Sequence, residues 1–455
     1  MISALFIGRG LIMEMQFSDH FTFGKLIRFA MPSIVMMIFT SIYGVVDGIF
    51  VSNYVGKTPF AAINIIWPVF MILGAVGFMI GTGGCALVSK IRGEGEEEKA
   101  NQIFSMLIYT SIILGVILAI VGFFFIEPIA VLLGAEGEMI SQATLYGRVL
   151  SVSLPFFIIQ NEFQSFFVAA ERPQLGLVVT VVAGVANIVL DALLIIPFEL
   201  DLFGAALATS ISQILGGLIP LVYFIFSKKS LLRLTKAKFD KGAMLKTCIN
   251  GSSEMMTNVS MSLVSMLYNF QLMKFAGENG VAAYGVIMYV NFIFVAIFIG
   301  YSVGSAPIIS YNYGAQNTTE LKNLFKKSMT IILSAGLIMP VLGIVLAGPL
   351  SKIFVGYDSE LFEMTKRGFV IYTLSFLIAG INIFGSAFFT ALNDGVVSAI
   401  ISFLRTLLFQ VVAVLVLPII FELDGIWYAV IVAELLSVVV TGIFLVAKRE
   451  KYKYM

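Results

Sequence analysis

The sequence predicts an all-α integral membrane protein with twelve transmembrane helices in two pseudo-symmetric six-helix lobes around a central cavity. Three observations predict it. Fifty-nine per cent of the 455 residues are hydrophobic against 12% charged, with a mean hydropathy of +1.00, too little polar surface for a soluble chain of this length. Apolar runs long enough to cross about 30 Å of hydrocarbon recur twelve times. The second half of the chain also repeats the first in parallel, which two lobes related by an axis along the membrane normal would produce.

The runs fall near 26–50, 61–87, 103–126, 141–169, 175–198 and 204–227, then near 249–274, 282–309, 329–349, 365–392, 397–420 and 425–447. Several exceed what a perpendicular helix needs, so tilt or bending is expected. Pro32, Pro68, Pro155 and Pro307 mark bends or helix ends. The expected organisation is an N-terminal cytoplasmic segment 1–23, an N-lobe 24–227, a basic inter-lobe linker 228–246, a C-lobe 247–447 and a basic tail 448–455. Lysine and arginine crowd the linker, the tail and the 8–9 loop, whereas Glu127, Glu136, Glu138, Glu199, Asp201, Glu422 and Asp424 lie in the opposite connections. The 9–10 loop, with Lys352, Lys366 and Arg367, is mixed. By the positive-inside rule both termini face the cytoplasm of a multi-pass inner-membrane protein. Met1 to Ile12 has no small-residue cleavage site and does not read as a signal peptide; Met13 and Met15 are alternative starts. Cys85 and Cys248 read as reduced, small apolar residues. His20, the lone histidine, lies before the first helix and reads as solvated, so a histidine proton relay is excluded.

The repeat appears when the chain is slid by 221 residues: Gly83 falls on Gly304, Ser89 on Ser310, Gly93 on Gly314 and Gly56 on Gly277. Near the fourth helix the shift becomes 222, and Phe166-Phe167 meets Phe388-Phe389. The halves differ where it matters. Asp47 corresponds to Tyr268, Asn187 to Phe409, Asp191 to Ala413 and Thr209 to Val430. A carboxylate at the centre of a bilayer helix costs roughly 2.5–3.5 kcal/mol on insertion scales, so it usually faces a cavity and has a function. Ion chemistry is therefore expected in the N-lobe.

Helical spacing groups the candidates. Asn187 and Asp191 are four apart, as are Tyr43 and Asp47, and Thr209 and Gln213, so each pair shares a helix face. Converging, these faces make a pocket of carboxylates, an amide and hydroxyls with no fixed cation. Such a pocket can hold a proton shared between two close carboxylates or Na⁺ on hard oxygen ligands. Forty-one phenylalanines and 21 methionines suit a cavity that repacks around varied flat, apolar cations.

On Pro32 followed by Asp47 and Gly56, on Gly81-Thr-Gly-Gly with Ser89 and Gly93, on Glu171-Arg-Pro173 and on Asn187 with Asp191, the chain resembles the multidrug and toxic compound extrusion (MATE) family, in particular its MepA-like bacterial branch. The resemblance spans Phe23 to Lys448. It implies a cation site at Asp47, Asn187, Asp191 and Thr209 and a wider polar network that includes Tyr43, Tyr146 and Asn161. The family's other pattern places acids in the C-lobe. Glu254 could match it, although its place near the expected start of the seventh helix also suits the helix dipole. The usual aspartate partner on the tenth helix is missing, with Asn382 the nearest polar candidate. Glu434, opposite Gln213 in the repeat, is a mid-helix acid whose expected charge partner is Arg405.

The function expected is a secondary active antiporter that expels amphipathic, often cationic, drugs in exchange for inward H⁺ or Na⁺ by alternating access. Its partners are the lipid bilayer and small-molecule drugs; no nucleic acid, ATP or cofactor is expected, and the chain is expected to be a monomer. The alternative is a flippase for a lipid-linked saccharide or other amphiphile, which would need a strongly cationic cavity, whereas Arg405 is nearly alone among intramembrane bases. An enzyme would show clustered catalytic motifs, and no P-loop or histidine box occurs. A channel would not need an ion site confined to one half.

Overall fold

The computed structural model describes residues 15–227 and 229–455; Met1 to Ile12 and the alternative start Met13 lie outside them. The N-lobe consists of α1 (Phe23–Phe50), α2 (Lys57–Gly93), α3 (Glu97–Leu132), α4 (Glu138–Ala169), α5 (Pro173–Ile195) and α6 (Asp201–Phe226). In the C-lobe, α7 (241–276) and α8 (278–314) form a continuous helical run, Lys241–Gly314, broken at Gly277. There follow α9 (Thr318–Val355), a bent α10 (Ser359–Thr373 and Phe376–Ala391, 50° apart), α11 (395–421), α12 (423–447) and a single-turn α13 (Arg449–Tyr452). The break between α11 and α12 falls at Glu422. Among the described residues, twelve apolar spans in two lobes result.

The repeat is written into the backbone. Gly277 sits at φ 58°, ψ −150°, a conformation open essentially to glycine alone, and its repeat mate Gly56 also has positive φ. Glu422 (φ 50°) matches Asp201 (φ 45°), Asn393 (φ 59°) matches Glu171 (φ 61°), and Gln316 (φ 55°) matches Gly95 (φ 85°). The same sharp turns thus recur at the same junctions. Pro32, Pro68, Pro155 and Pro307 all lie inside helices, so they are interior residues and not helix-end markers.

Where the lobes meet, glycines bring backbones together. A Cβ on Gly93 (α2) would strike the Tyr311 carbonyl oxygen (α8), and one on Gly314 (α8) would strike that of Lys90 (α2). Gly83 and Gly251 join α2 to α7 in the same way, and Gly304 lies against Ala30 of α1. This crossing lies at the termini face, where the first described residues and the C-terminal tail both dock.

Residues 15–22 cross that face as a strap. Phe17 and Phe21 are fully buried. Phe17 packs edge-on against Tyr311 and lies under the Arg92 guanidinium, while its carbonyl accepts from Asn312. Glu320 of α9 accepts from the Phe21 amide at 2.9 Å and meets His20 Nδ1 at 2.7 Å. His20 is therefore exposed yet paired, which corrects the purely solvated reading: the strap's backbone fixes its position beside a buried carboxylate. The tail is docked too, since Tyr452 donates to Asp394 at 2.7 Å and the ring of Tyr454 is buried against Phe388.

One further expectation changes. The linker expected at 228–246 ends earlier, because Asp240 caps α7 by accepting from the Gly242 and Ala243 amides and Lys241 already begins the helix. An amphipathic first stretch carries too few apolar residues to register as part of a membrane-spanning run. The linker is also docked along α3: Arg233 and Thr235 donate their amides to Asn101 and Ser105. Cys85 and Cys248 are unbridged.

Candidate functional site

Three N-lobe helices bring one cluster together. α1 supplies Asp47, α5 supplies Asn187 and Asp191, and α6 supplies Thr209. Gly184, one turn from Asn187, lets α1 approach closely, since a Cβ there would press on Phe39 and Tyr43. Asp47 lies within hydrogen-bonding reach of both Asp191 and Asn187. Tyr43 faces Asp47 from one turn away, and the Tyr146 phenol of α4 stands beside Thr209 and near both aspartates. Asp191 is 0% exposed and Asn187 2%.

Few of these oxygens have a donor. Asp47 Oδ1, both Asp191 oxygens, Asn187 Oδ1 and Thr209 Oγ1 are buried without a hydrogen-bond partner. Two ionised carboxylates cannot donate to each other, so within reach is not the same as bonded. Burying one such unsatisfied group costs about 1–3 kcal/mol, more for a charge. A proton shared by the aspartates, or a small cation ringed by the orphaned oxygens, removes that cost. Among the described residues no three His, Cys, Asp or Glu side chains are grouped as a transition-metal site would require; the donor set here is two carboxylates, an amide and a hydroxyl, which suits a hard monovalent cation.

The remaining candidates are elsewhere. Gln213 lies one turn of α6 further towards the termini face, where its Oε1 accepts from Ser153 at 2.7 Å. Asn161 sits fifteen residues beyond Tyr146 on the same helix, about 22 Å at 1.5 Å per residue; the structure does not bring it to the aspartates, because α4 runs the full depth of the lobe. Tyr268, which stands in the repeat where Asp47 does, stacks on Tyr284 with ring centroids 5.1 Å apart and donates to Gln410 at 2.8 Å.

The C-lobe acids form a second cluster. Glu434 is 3% exposed, and Arg405 Nε meets its two oxygens at 2.8 and 3.1 Å. Asn382 donates to Glu434 at 2.7 Å and accepts from Thr441 at 3.0 Å. Arg405 sits in a π-helical turn, Leu404–Leu408, and such turns re-aim the side chains they carry. Glu254 lies within electrostatic range of Arg405. It is thirteen residues into α7, about 20 Å from the helix start, so the helix-start reading fails: α7 begins eight residues before its apolar run.

The sequence reading missed Glu162 on α4. It is 0% exposed, both its oxygens lack a partner, and Ser111 of α3 lies within reach. The criterion that singled out Asp47, an acid inside an apolar helix, applies equally to Glu162, next to the Asn161 that was noted. The Arg92–Glu171 pair, 3.1 Å apart at the termini face, was also missed.

Together, two six-helix lobes with a buried carboxylate cluster in one of them make a multi-pass membrane protein whose halves differ chemically. The MatE family profile matches residues 32–193 and 255–416, one match in each half, and the chain belongs to this family. It is 28% identical to the multidrug export protein MepA of Staphylococcus haemolyticus over 332 residues, 70% of this chain and 73% of that one. It is 26% identical to MepA of Staphylococcus aureus (strain MSSA476) over 433 residues, 94% of each chain. The crystal structure of a MATE protein in complex with MaL6 superposes with a TM-score of 0.89 at 21% identity, covering 96% of this chain and 98% of that one.

Proposed function

We propose that this protein is a cation-coupled antiporter that exports amphipathic, often cationic, drugs, with the coupling ion held by Asp47, Asn187, Asp191 and Thr209. The observation that carries the reading is the proximity of Asp47 to Asp191 in a cluster whose buried oxygens are mostly orphaned. Relatives named as multidrug export proteins, similar along most of the chain, support the drug as cargo. The bases of the linker and tail support a cytoplasmic termini face.

In the low dielectric of the lobe two adjacent carboxylates resist double ionisation, so the pair takes up one cation readily and releases it only when its surroundings change. Alternating access supplies that change. Drug and ion each favour a different conformation, and by linkage each weakens the other's binding. A flippase for an anionic lipid headgroup would want Arg405 free in the cavity; here Glu434 neutralises it.

Ethidium efflux from proteoliposomes, driven separately by a proton gradient and by a Na⁺ gradient, tests the reading and identifies the ion. One gradient drives efflux by the native chain. Asp191→Asn loses that gradient-driven component while remaining folded and able to bind drug. Undiminished efflux by the variant would remove the site from the mechanism.

A further inference from the structure

The helices α4, α5 and α6 meet along a seam that leads away from the aspartates towards the termini face. Among apolar neighbours such as Leu150, Leu154, Ile159 and Phe163, it carries a series of buried small or polar positions. One turn below Asp191 is Asn187; beyond it the Ser212 hydroxyl donates to the Ala183 carbonyl at 2.8 Å. Ser153 Oγ then lies 2.7 Å from Gln213 Oε1 and 3.2 Å from the Ser210 hydroxyl. Next comes Gln160, whose amide occupies the space left by Gly216, where a Cβ would stand 2.5 Å from the amide carbon. Gln160 Oε1 is buried without a partner. Below it a cavity of about 10 Å³, at the lower limit for a single water, is bounded by the polar Gln160, Gln164 and Thr180 and by the apolar Phe163, Phe167 and Val179, with two glycines and Pro220 completing the wall. Thr180 is seven residues from the start of α5, about 10 Å from the helix end. Polar groups thus follow one another from the carboxylate pair almost to the surface.

The C-lobe supplies the control. At the same offsets Gln160 becomes Asn382, Thr180 becomes Ser402, Gln213 becomes Glu434, Gly216 becomes Ser437 and Pro220 becomes Thr441. There the polar atoms bond one another: Asn382 to Glu434 and Thr441, and Ser386 to Ser398 and Ser402 at 2.9 and 2.8 Å. A seam whose groups are mutually satisfied has none to spare for a passing ion, whereas the N-lobe seam keeps an open amide oxygen beside a cavity.

We propose that the N-lobe seam is the route by which the coupling cation passes between the Asp47/Asp191 site and the termini face, with Gln160 and Thr180 at its narrow point. The inference rests on the proposed antiport. For H⁺, the proton leaves the carboxyl pair to water in the seam and is delivered to bulk water; for Na⁺, amide and hydroxyl oxygens replace part of its hydration shell.

Two measurements test it. In the gradient-driven efflux assay, Gln160→Leu and Thr180→Val are expected to slow ion-coupled efflux at least tenfold while leaving drug affinity within about twofold, and Thr180→Ser is expected to recover most of the rate. In a background of Cys85→Ser and Cys248→Ser, Thr180→Cys should be inhibited by Ag⁺, a thiol-reactive cation of about the size of Na⁺, applied from the termini side, whereas Ser402→Cys should not. Native rates in Gln160→Leu, or equal Ag⁺ insensitivity of the two cysteine variants, would overturn the route. Asp191→Asn separates this failure from that of the antiport reading: if it abolishes coupling while Gln160→Leu does not, the route alone falls, and if it leaves coupling intact, the antiport site falls first.

Discussion

The two lobes share a backbone and divide the chemistry. The position of Asp47 in one is Tyr268 in the other, and where the N-lobe leaves Asp191, Asn187 and Gln160 with orphaned oxygens, the C-lobe ties Arg405, Glu434, Asn382 and Thr441 into a closed network. A buried polar group that is satisfied rigidifies its surroundings; one left open is costly unless something binds it. The comparison teaches that duplicated scaffolds can be told apart functionally by asking which copy leaves polar groups unpaired.

The largest expected effect breaks the C-lobe network. Arg405→Met strands Glu434 as a buried charge and should cost about 3–5 kcal/mol of stability, measured by reversible unfolding in mixed micelles, and the double change Arg405→Met with Glu434→Leu should restore most of it. In the N-lobe the sign differs: Asp191→Asn should leave stability unchanged or slightly higher, because it removes a carboxylate with no cationic partner. A large loss from Asp191→Asn would erase the contrast. Next come the junctions where the lobes are alike. Gly93→Val and Gly314→Val each drive a side chain into a facing carbonyl and should cost about 1–3 kcal/mol apiece; a loss confined to one would show that the crossing is not reciprocal. Smaller again, Tyr268→Phe forfeits the bond to Gln410, about 0.5–1.5 kcal/mol, with gradient-driven efflux retained, whereas Asp47→Asn should lose efflux and keep stability.

The smallest effect concerns the docked tail. Burial opposes ionisation of Asp394, but the Tyr452 hydroxyl with Lys448 and Lys451 outweighs it and holds this carboxyl below its ordinary value. A depressed folded value means that the contribution to docking is complete above about pH 4, the ordinary carboxylate range, and is lost as pH falls through the depressed value. Asp394→Asn should therefore lower thermal stability slightly at neutral pH, and the difference from the native chain should vanish in acid. A difference that grew in acid would reverse the sign.

Much of the fold was legible because membrane spans announce themselves by composition and a parallel repeat by self-alignment; the Arg405–Glu434 pairing followed from two charges with no other place to go. The convergence of Asp47, Asn187 and Asp191 followed from helical spacing and from the family resemblance. What was not legible depended on length along a helix or on contacts distant in sequence. Glu254 reads as near a helix end because the amphipathic start of α7 does not look like membrane, Asn161 joins the wider network in the sequence although it lies about 22 Å along α4 from Tyr146, and the bond of His20 reaches a residue 300 positions away; Glu162 alone was open to the criterion that singles out Asp47.

The strap at residues 15–22 leaves α1 in an unusual position. Its backbone is tied to Glu320, Asn323 and Asn312 of the C-lobe, and twenty-six residues later the same chain carries Asp47 into the N-lobe. A helix is stiff along its axis, so α1 works as a tie-rod between an anchor in one lobe and the carboxylate in the other. Any separation of the lobes at the termini face would therefore have to load α1 or first break the strap's bonds to the C-lobe.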